Sequence, residues 1–430
     1  MNPGTSGLVD SVNGMSMLND KRDTVPLSLP RLISASSQTL ESAAAQSSSL
    51  AAERLPHVLF LIDQLCELGG AERVLLNMAR LLPRDQFRCS LATFKVAPEF
   101  DMRRHVSCPF YLFPLRRTYD WNAWKMALKL RELIRSEGVD IVHTFFESSD
   151  IWGGLVAKLS GCPVLISSRR DMGILRSPKH KLAYRAVRPL FDRVLTVSEE
   201  VRAFSLAEDH LDPEKVITVY NGIELEMACE PRQEDVLRRR LQLEDSSPVI
   251  TTVGHIRRVK GIDNFVQAAA IVRREFPEAR FLVAGQVLDP QYFQELQVLT
   301  ESLQLTESVN FVGAIDPIYP LLRISNIFCL LSRSEGLSNA LLEAMACGLP
   351  CVATQVGGNK ETVEANATGF LVPADDPKLA ADRILALLRN PADAKVMGEA
   401  GRALVSRKFT AQAMMDHLCR LYHSVLREKR

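Results

Sequence analysis

Short apolar runs alternate with helix-patterned segments along most of this chain, and that alternation restricts the possible folds more than any other feature. Runs at 58–62, 89–94, 139–143, 164–167, 194–197 and 216–219 read as buried strands. Gly69-Gly70 follows the first of them and opens a helix with Val74, Leu75, Met78, Leu81 and Leu82 on one face. A second set lies at 249–253, 280–284, 309–312, 327–331, 351–353 and 370–372. Strands separated by helices pair in parallel, because each return crossing needs about the length of a helix. The expected fold class is α/β, with two doubly wound, Rossmann-like domains. Asn221-Gly222 closes the first half with a turn, and the polar, charged stretch 226–247 reads as a linker. The domains then span 55–225 and 248–409, and ligands are expected beyond the carboxyl ends of the strands, in a cleft between them. A last helix over 410–430 carries Met414, Leu418, Leu421 and Val425 on one stripe.

Composition narrows the class of partner. A chain of 430 residues with 47% hydrophobic content can bury two ordinary cores, and a net charge of +1 argues against a bulk nucleic-acid binder. Nine cysteines without CxxC pairs or metal-like Cys/His spacing read as reduced thiols of a cytoplasmic protein. No run reaches the roughly 18 apolar residues that span a bilayer, and the first residues lack the pattern of a secretory signal. Residues 1–54 include a Ser/Ala-rich stretch with little to bury and are expected to form a disordered leader.

The segment 332–350, SRSEGLSNALLEAMACGLP, carries the most chemistry. Ser338 or Asn339 supplies a cap for a helix of ~9 residues that Gly348 and Pro350 end. Glu335 then lies in the loop above the helix, and Glu343 about one turn in, roughly 6 Å further along the axis. Backbone N–H groups of Gly336, Leu337 and Ser338 point out of the helix mouth, where the dipole favours an anion such as phosphate. Two glutamates beside an anion repel it, so they fit the uncharged hydroxyl-bearing parts of a ligand, a sugar and a ribose. The plainer alternative is a loop charge and a solvated helix residue.

This segment resembles the E-x7-E signature of retaining glycosyltransferases of family four, glycosyl transferases group 1, which have the GT-B fold. The resemblance implies two facing domains with a deep cleft and a terminal helix that packs back on the first domain. It implies Glu335 on the donor sugar and Glu343 on the ribose diol, with Gly336, Leu337, Ser338 and Asn339 lining the donor site. The loop Gly254-His255-Ile256-Arg257-Arg258-Val259-Lys260-Gly261 follows a strand, and relatives carry a lysine at the position of Lys260. Many carry arginine at the position of His255, so the arginine role is expected to move to Arg257, with Arg258 the lesser choice. The run Gly69-Gly70-Ala71-Glu72-Arg73 resembles the family loop that faces the donor phosphates, which places Gly70 there; Glu72 reads as a first-turn helix residue. Gly357-Gly358-Asn359-Lys360-Glu361 resembles another family loop, in which the polar residues either touch ligand or cap the next helix.

The far side of the cleft departs from the pattern. Many relatives place a functional histidine where this chain has Phe145; His143 then reads as a satisfied core residue and Glu147 as a substitute candidate. Arg169, Arg170 and Asp171 are expected to face the cleft, holding an anionic acceptor or pairing with one another. Cations between Arg169 and Arg193, interleaved with apolar residues, make a basic amphipathic helix that either rests on an anionic membrane or is simply solvated.

Together these readings imply transfer of a sugar from a nucleotide diphosphate sugar to a carbohydrate or lipid-linked acceptor, with retention. Lys260, Arg257 and the helix mouth would stabilise the leaving phosphate, which itself helps to deprotonate the acceptor. No D-x-D is present, so no metal and no further cofactor are expected. The alternatives are a GT-B sugar-nucleotide epimerase or hydrolase and a non-catalytic carbohydrate-binding scaffold. A nicotinamide dehydrogenase is disfavoured, since no G-x-G-x-x-G follows a strand.

Overall fold

The computed structural model describes residues 54–66, 69–97, 100–173, 178–229, 234–244 and 246–430. The leader expected over 1–54 lies outside them except for Arg54. Seven strands form the first sheet: β1 His57–Ile62, β2 Arg88–Thr93, β3 Phe110–Leu112, β4 Ile141–Phe145, β5 Val164–Arg169, β6 Arg193–Thr196 and β7 Val216–Thr218. Their order is β3-β2-β1-β4-β5-β6-β7, and every pair is parallel. Six more form the second: β8 Val249–Val253, β9 Arg280–Ala284, β10 Val309–Gly313, β11 Ile327–Leu330, β12 Cys351–Thr354 and β13 Gly369–Val372. Here the order is β10-β9-β8-β11-β12-β13, again parallel.

Strand order reverses between β1 and β4 in one sheet and between β8 and β11 in the other. Neighbouring crossovers leave on opposite faces there, which opens a crevice at the carboxyl ends of the strands. Gly69-Gly70 follows β1, the Lys260 loop follows β8, and the Glu335 loop follows β11. The chain's ligand-like motifs therefore sit at the two switch points.

Two differences from the sequence reading have clear physical origins. The edge strand β3 is only three residues long and lacks a buried alternation, so no periodic signal marks it. Within 226–247, expected as a linker, the helices Leu225–Cys229 and Glu234–Arg240 form. Leu237, Leu241 and Leu243 from this stretch pack on the core that includes Phe328 and Leu341. Polar side chains on the outer face concealed that apolar edge.

The terminal helix Ala411–Lys429 is capped by Thr410, whose Oγ1 accepts from the Ala413 amide at 3.1 Å. Met414, Leu418, Tyr422 and Val425 bury themselves with Val58, Phe60 and Ile141 of the first sheet. The chain thus crosses between sheets a second time, beside the first crossing: Ala411 N donates to Ile223 O at 2.8 Å. A Cβ on Gly222 would stand 2.2 Å from the Thr410 carbonyl oxygen, so only glycine lets these strands of backbone touch. No helix of the described residues is long and apolar enough to cross a membrane.

Candidate active site

Glu335 is held from two sides. Its Oε1 accepts from Lys260 Nζ at 2.7 Å and from Ser332 Oγ at 2.6 Å. The carboxylate is 8% exposed, which strengthens both charge-assisted bonds. Among the described residues nothing donates to Oε2, so one carboxylate oxygen is fixed and the other remains open to a ligand hydroxyl. Lys260 reaches this position because Gly261 turns with φ 60° directly beneath the end of β11, where a Cβ would meet the Leu331 carbonyl at 2.0 Å. Arg333 N donates to Val259 O at 2.8 Å and locks the two loops together.

Beyond Glu335 the chain enters the helix Asn339–Ala346, with Ser338 as its cap. Ser338 Oγ accepts from Leu341 N at 3.3 Å, whereas the amides of Gly336, Leu337 and Ser338 donate to no protein acceptor among the described residues. Free amides and the helix dipole make an anion seat. Gly336 approaches the opposite domain so closely that a Cβ would lie 2.1 Å from the Arg170 carbonyl oxygen. Gly357, with φ 48°, passes equally near the Glu335 carbonyl, at 1.8 Å from its would-be Cβ. Gly357→Ala is therefore expected to cost about 2–4 kcal/mol and displace Glu335, read as a lower melting temperature.

Glu343 lies one turn into the helix and keeps part of its surface open to solvent. Burial of the rest pushes its carboxyl up to about 7; the Arg73 guanidinium opposes that shift and Asp316 adds to it. Arg73 belongs to the first domain and pairs with Asp316 of the second at 2.9 Å. Gly70, also of the first domain, faces the helix mouth: Asn339 Nδ2 donates to Gly70 O at 3.2 Å. Asn339 Oδ1 in turn accepts from Asn221 Nδ2 at 2.7 Å.

The loop after β8 divides its basic residues. Arg258 turns away to Glu295 at 2.5 Å, while Arg257 stays exposed at the loop's tip. His255 sits deeper than either arginine. Its Nε2 lies 3.5 Å from where a Gly69 Cβ would stand, and its Nδ1 is buried without a hydrogen-bond partner. Burial lowers the imidazole to about 4, helped by Arg257, Lys260 and Arg73. Its position immediately after Gly254 at a strand end was the signal available for it.

On the first domain's side of the cleft, His143 is fully buried, with Nδ1 against the Tyr422 hydroxyl at 2.6 Å and Nε2 against Ser168 Oγ at 2.8 Å. Burial drives it down to about 3, as fits a satisfied core residue. Phe145 is buried in the same core, and Glu147 pairs with His180 at 3.0 Å. Arg169, expected at the cleft, is instead a core residue that binds Asp150 at 3.0 Å and stacks on Tyr184. Strand alternation explains this, since its neighbour Arg170 points the other way and donates to Asn221 Oδ1 at 2.5 Å. Glu361 is taken up by the opposite domain: its carboxylate accepts from the Glu199 and Glu200 amides at 2.9 and 3.0 Å, capping a helix there. Of the basic stretch after β5, residues 174–177 lie outside the described residues. No cluster of three or more His, Cys, Asp or Glu side chains suited to a metal occurs among the described residues.

Two family models cover this architecture: Glycosyltransferase Family 4 matches residues 68–227, and Glycosyl transferases group 1 matches 233–404. Over 311 residues the chain is 30% identical to the N-acetyl-alpha-D-glucosaminyl L-malate synthase of Bacillus anthracis, covering 70% of this chain and 79% of that protein. It is 27% identical to the UDP-Gal:alpha-D-GlcNAc-diphosphoundecaprenol alpha-1,3-galactosyltransferase of Escherichia coli, over 72% of this chain and 82% of that one. Its fold is similar to that of Anabaena HepE in complex with UDP and glucose, with a TM-score of 0.74 and 21% identity over 86% of this chain and 100% of that one. With two doubly wound sheets meeting at a shared cleft and both halves matched, the chain belongs to the family 4 glycosyltransferases of GT-B fold.

Proposed function

We propose that this glycosyltransferase moves a hexosyl group from a nucleoside diphosphate sugar to a hydroxyl of a carbohydrate or lipid-linked acceptor, with retention of configuration and without a metal ion. One observation carries the reading: the Lys260–Glu335 pair at 2.7 Å beside the open amides of Gly336, Leu337 and Ser338. A diphosphate seated on those amides places its sugar against Oε2 of Glu335. Lys260 and Arg257 then meet the negative charge that grows on the leaving phosphate, a role a divalent cation fills elsewhere. Asn339 and Gly70 close the seat from either domain, and Glu343 accepts from the ribose diol.

In the chemical step the bond from the anomeric carbon to the phosphate oxygen breaks while the acceptor oxygen bonds that carbon from the same face. The acceptor's proton passes to the leaving phosphate. The Escherichia coli relative's name gives UDP-Gal as donor and a diphosphoundecaprenol-linked sugar as acceptor, and the Anabaena neighbour holds UDP. The same classes are proposed here, with the chain working in polysaccharide or glycolipid assembly at the cytoplasmic face of the inner membrane.

A panel of nucleotides and nucleotide sugars in a thermal-unfolding assay tests the donor. A ligand at about 100 times its Kd adds about 2.7 kcal/mol, a shift of several degrees. UDP, GDP or one of their sugars is expected to give it without added divalent metal. If none moves the midpoint at millimolar concentration, the transferase site is wrongly placed.

A further inference from the structure

The helix Trp121–Ser136 follows β3, the edge strand of the first sheet, and turns a face to solvent that its composition does not suit. Tyr119, Trp121, Trp124 and Leu128 are 78, 84, 68 and 64% exposed. Positions 121, 124 and 128 share one side of a helix, so these side chains form a contiguous strip with Tyr119 just ahead of it. The fold does not need them. The opposite side already buries Ala123, Met126, Leu130 and Leu133, and Asp120 caps the helix by accepting from Ala123 N at 2.8 Å.

Charge identifies what the strip fits. Between 116 and 135 the sequence has six basic residues against two acidic ones, and one of the acids is the cap. Arg116, Arg117, Lys125 and Lys129 are all exposed beside the aromatic rings. Tryptophan and tyrosine flanked by cations suit the interface of an anionic bilayer, where rings enter the headgroup layer and cations meet lipid phosphates. A protein partner that buried this strip would leave the cations to be matched one by one.

Position in the fold gives the strip a purpose. In a parallel sheet every strand's carboxyl end lies on one edge, and the helix after β3 starts at that edge. Gly69-Gly70 after β1, Phe146 after β4 and Arg170 after β5 lie along the same edge, which is the acceptor side of the cleft. The basic helix expected from the sequence serves less well. In Pro178–Val187, Tyr184 and Val187 are buried, Lys181 is committed to Glu208 at 3.1 Å, and Leu182 is its exposed large apolar side chain among the described residues.

We propose that the Tyr119–Leu128 strip docks the enzyme on an anionic membrane and so presents the cleft rim to a lipid-linked acceptor. The acceptor part rests on the proposed function; the docking itself does not.

Vesicle flotation tests it with the full chain, using phosphatidylcholine vesicles with and without about 30% phosphatidylglycerol. Wild type is expected to float with the anionic vesicles and not with the neutral ones. Two of the chain's three tryptophans lie in the strip, so emission should shift to the blue on binding. Trp121→Ala/Trp124→Ala is expected to lose roughly tenfold or more of the binding. Its melting temperature and UDP response should match wild type, because neither ring supports the core. Absence of wild-type binding, or undiminished binding by the double variant, overturns the proposal. So does a wild-type dimer that the double variant abolishes, which would assign the strip to a second copy. UDP response in the same samples reports on the donor site separately, so failure of the docking proposal and failure of the transferase reading are told apart.

Discussion

Glu335→Gln is expected to lower kcat by about two to three orders of magnitude while leaving UDP affinity within about threefold of wild type. The asymmetry follows from where the negative charge acts. In the resting site Oε1 is occupied by Lys260 and Ser332, and the proposed function sets the donor sugar against Oε2. The glutamine keeps an oxygen for one donor, so the loop stays in place, and the open amides of Gly336 to Ser338 still receive the diphosphate. What disappears is the full negative charge beside the sugar, whose hydroxyls and anomeric carbon become more positive as the phosphate departs. Lys260 keeps partial access to water, with 27% of its side chain exposed, so loss of its counter-charge is expected to cost only about 1 kcal/mol of stability. Initial rates with saturating donor, calorimetry with UDP and a melting curve separate these effects. A variant with kcat within threefold of wild type removes Glu335 from the chemical step.

The parts of this site that were legible in the sequence share one property: they depend on short-range spacing. Glycines at strand ends, the Ser338 cap and the eight-residue step from Glu335 to Glu343 are local, and each lies where its pattern places it. Residues that depend on contacts across the cleft were not legible. The position of His255 in its loop is local, but its approach to Gly69 depends on the other domain. Arg169 and Arg170 are adjacent in sequence and chemically identical, and only the pleat of β5 sends one into the Asp150–Tyr184 core and the other toward Asn221. Glu361 reads as a helix-cap or ligand contact and becomes a clamp once the amides of Glu199 and Glu200 arrive above it. The exposed strip on Trp121–Ser136 is not marked by spacing either. Large apolar residues lie on both sides of this helix, and only the fold shows that Ala123, Met126, Leu130 and Leu133 are buried while Trp121, Trp124 and Leu128 are exposed among the described residues.

Glu343→Gln is expected to stabilise the free enzyme above neutral pH and to weaken donor binding by about ten- to a hundredfold, with kcat little changed. Burial lifts this carboxyl from 4.5 to about 7, so the folded state holds its proton where the unfolded chain has released it. Below the unfolded value both states are protonated and the residue costs nothing. As pH rises from 4.5 toward 7 the unfolded chain ionises first and stability falls; beyond that the penalty is constant. Glutamine does not titrate. Its melting temperature should therefore match wild type near pH 4.5 and exceed it by roughly 1–4 °C at pH 8, for a penalty of about 1–3 kcal/mol. Part of Glu343 remains in contact with solvent, which places the penalty at the lower end of that range. A ribose diol bound as proposed would reverse the preference. Two hydroxyl donors aimed at the carboxylate favour its ionised form, and Arg73 already pulls in that direction from across the cleft. On the proposed function the charge that destabilises the empty cleft is also the charge that holds the nucleoside, and the substitution should move stability and affinity in opposite directions. A variant that is more stable at pH 8 yet binds UDP as tightly as wild type would separate Glu343 from the ribose and leave it a strained helix residue at the edge of the site.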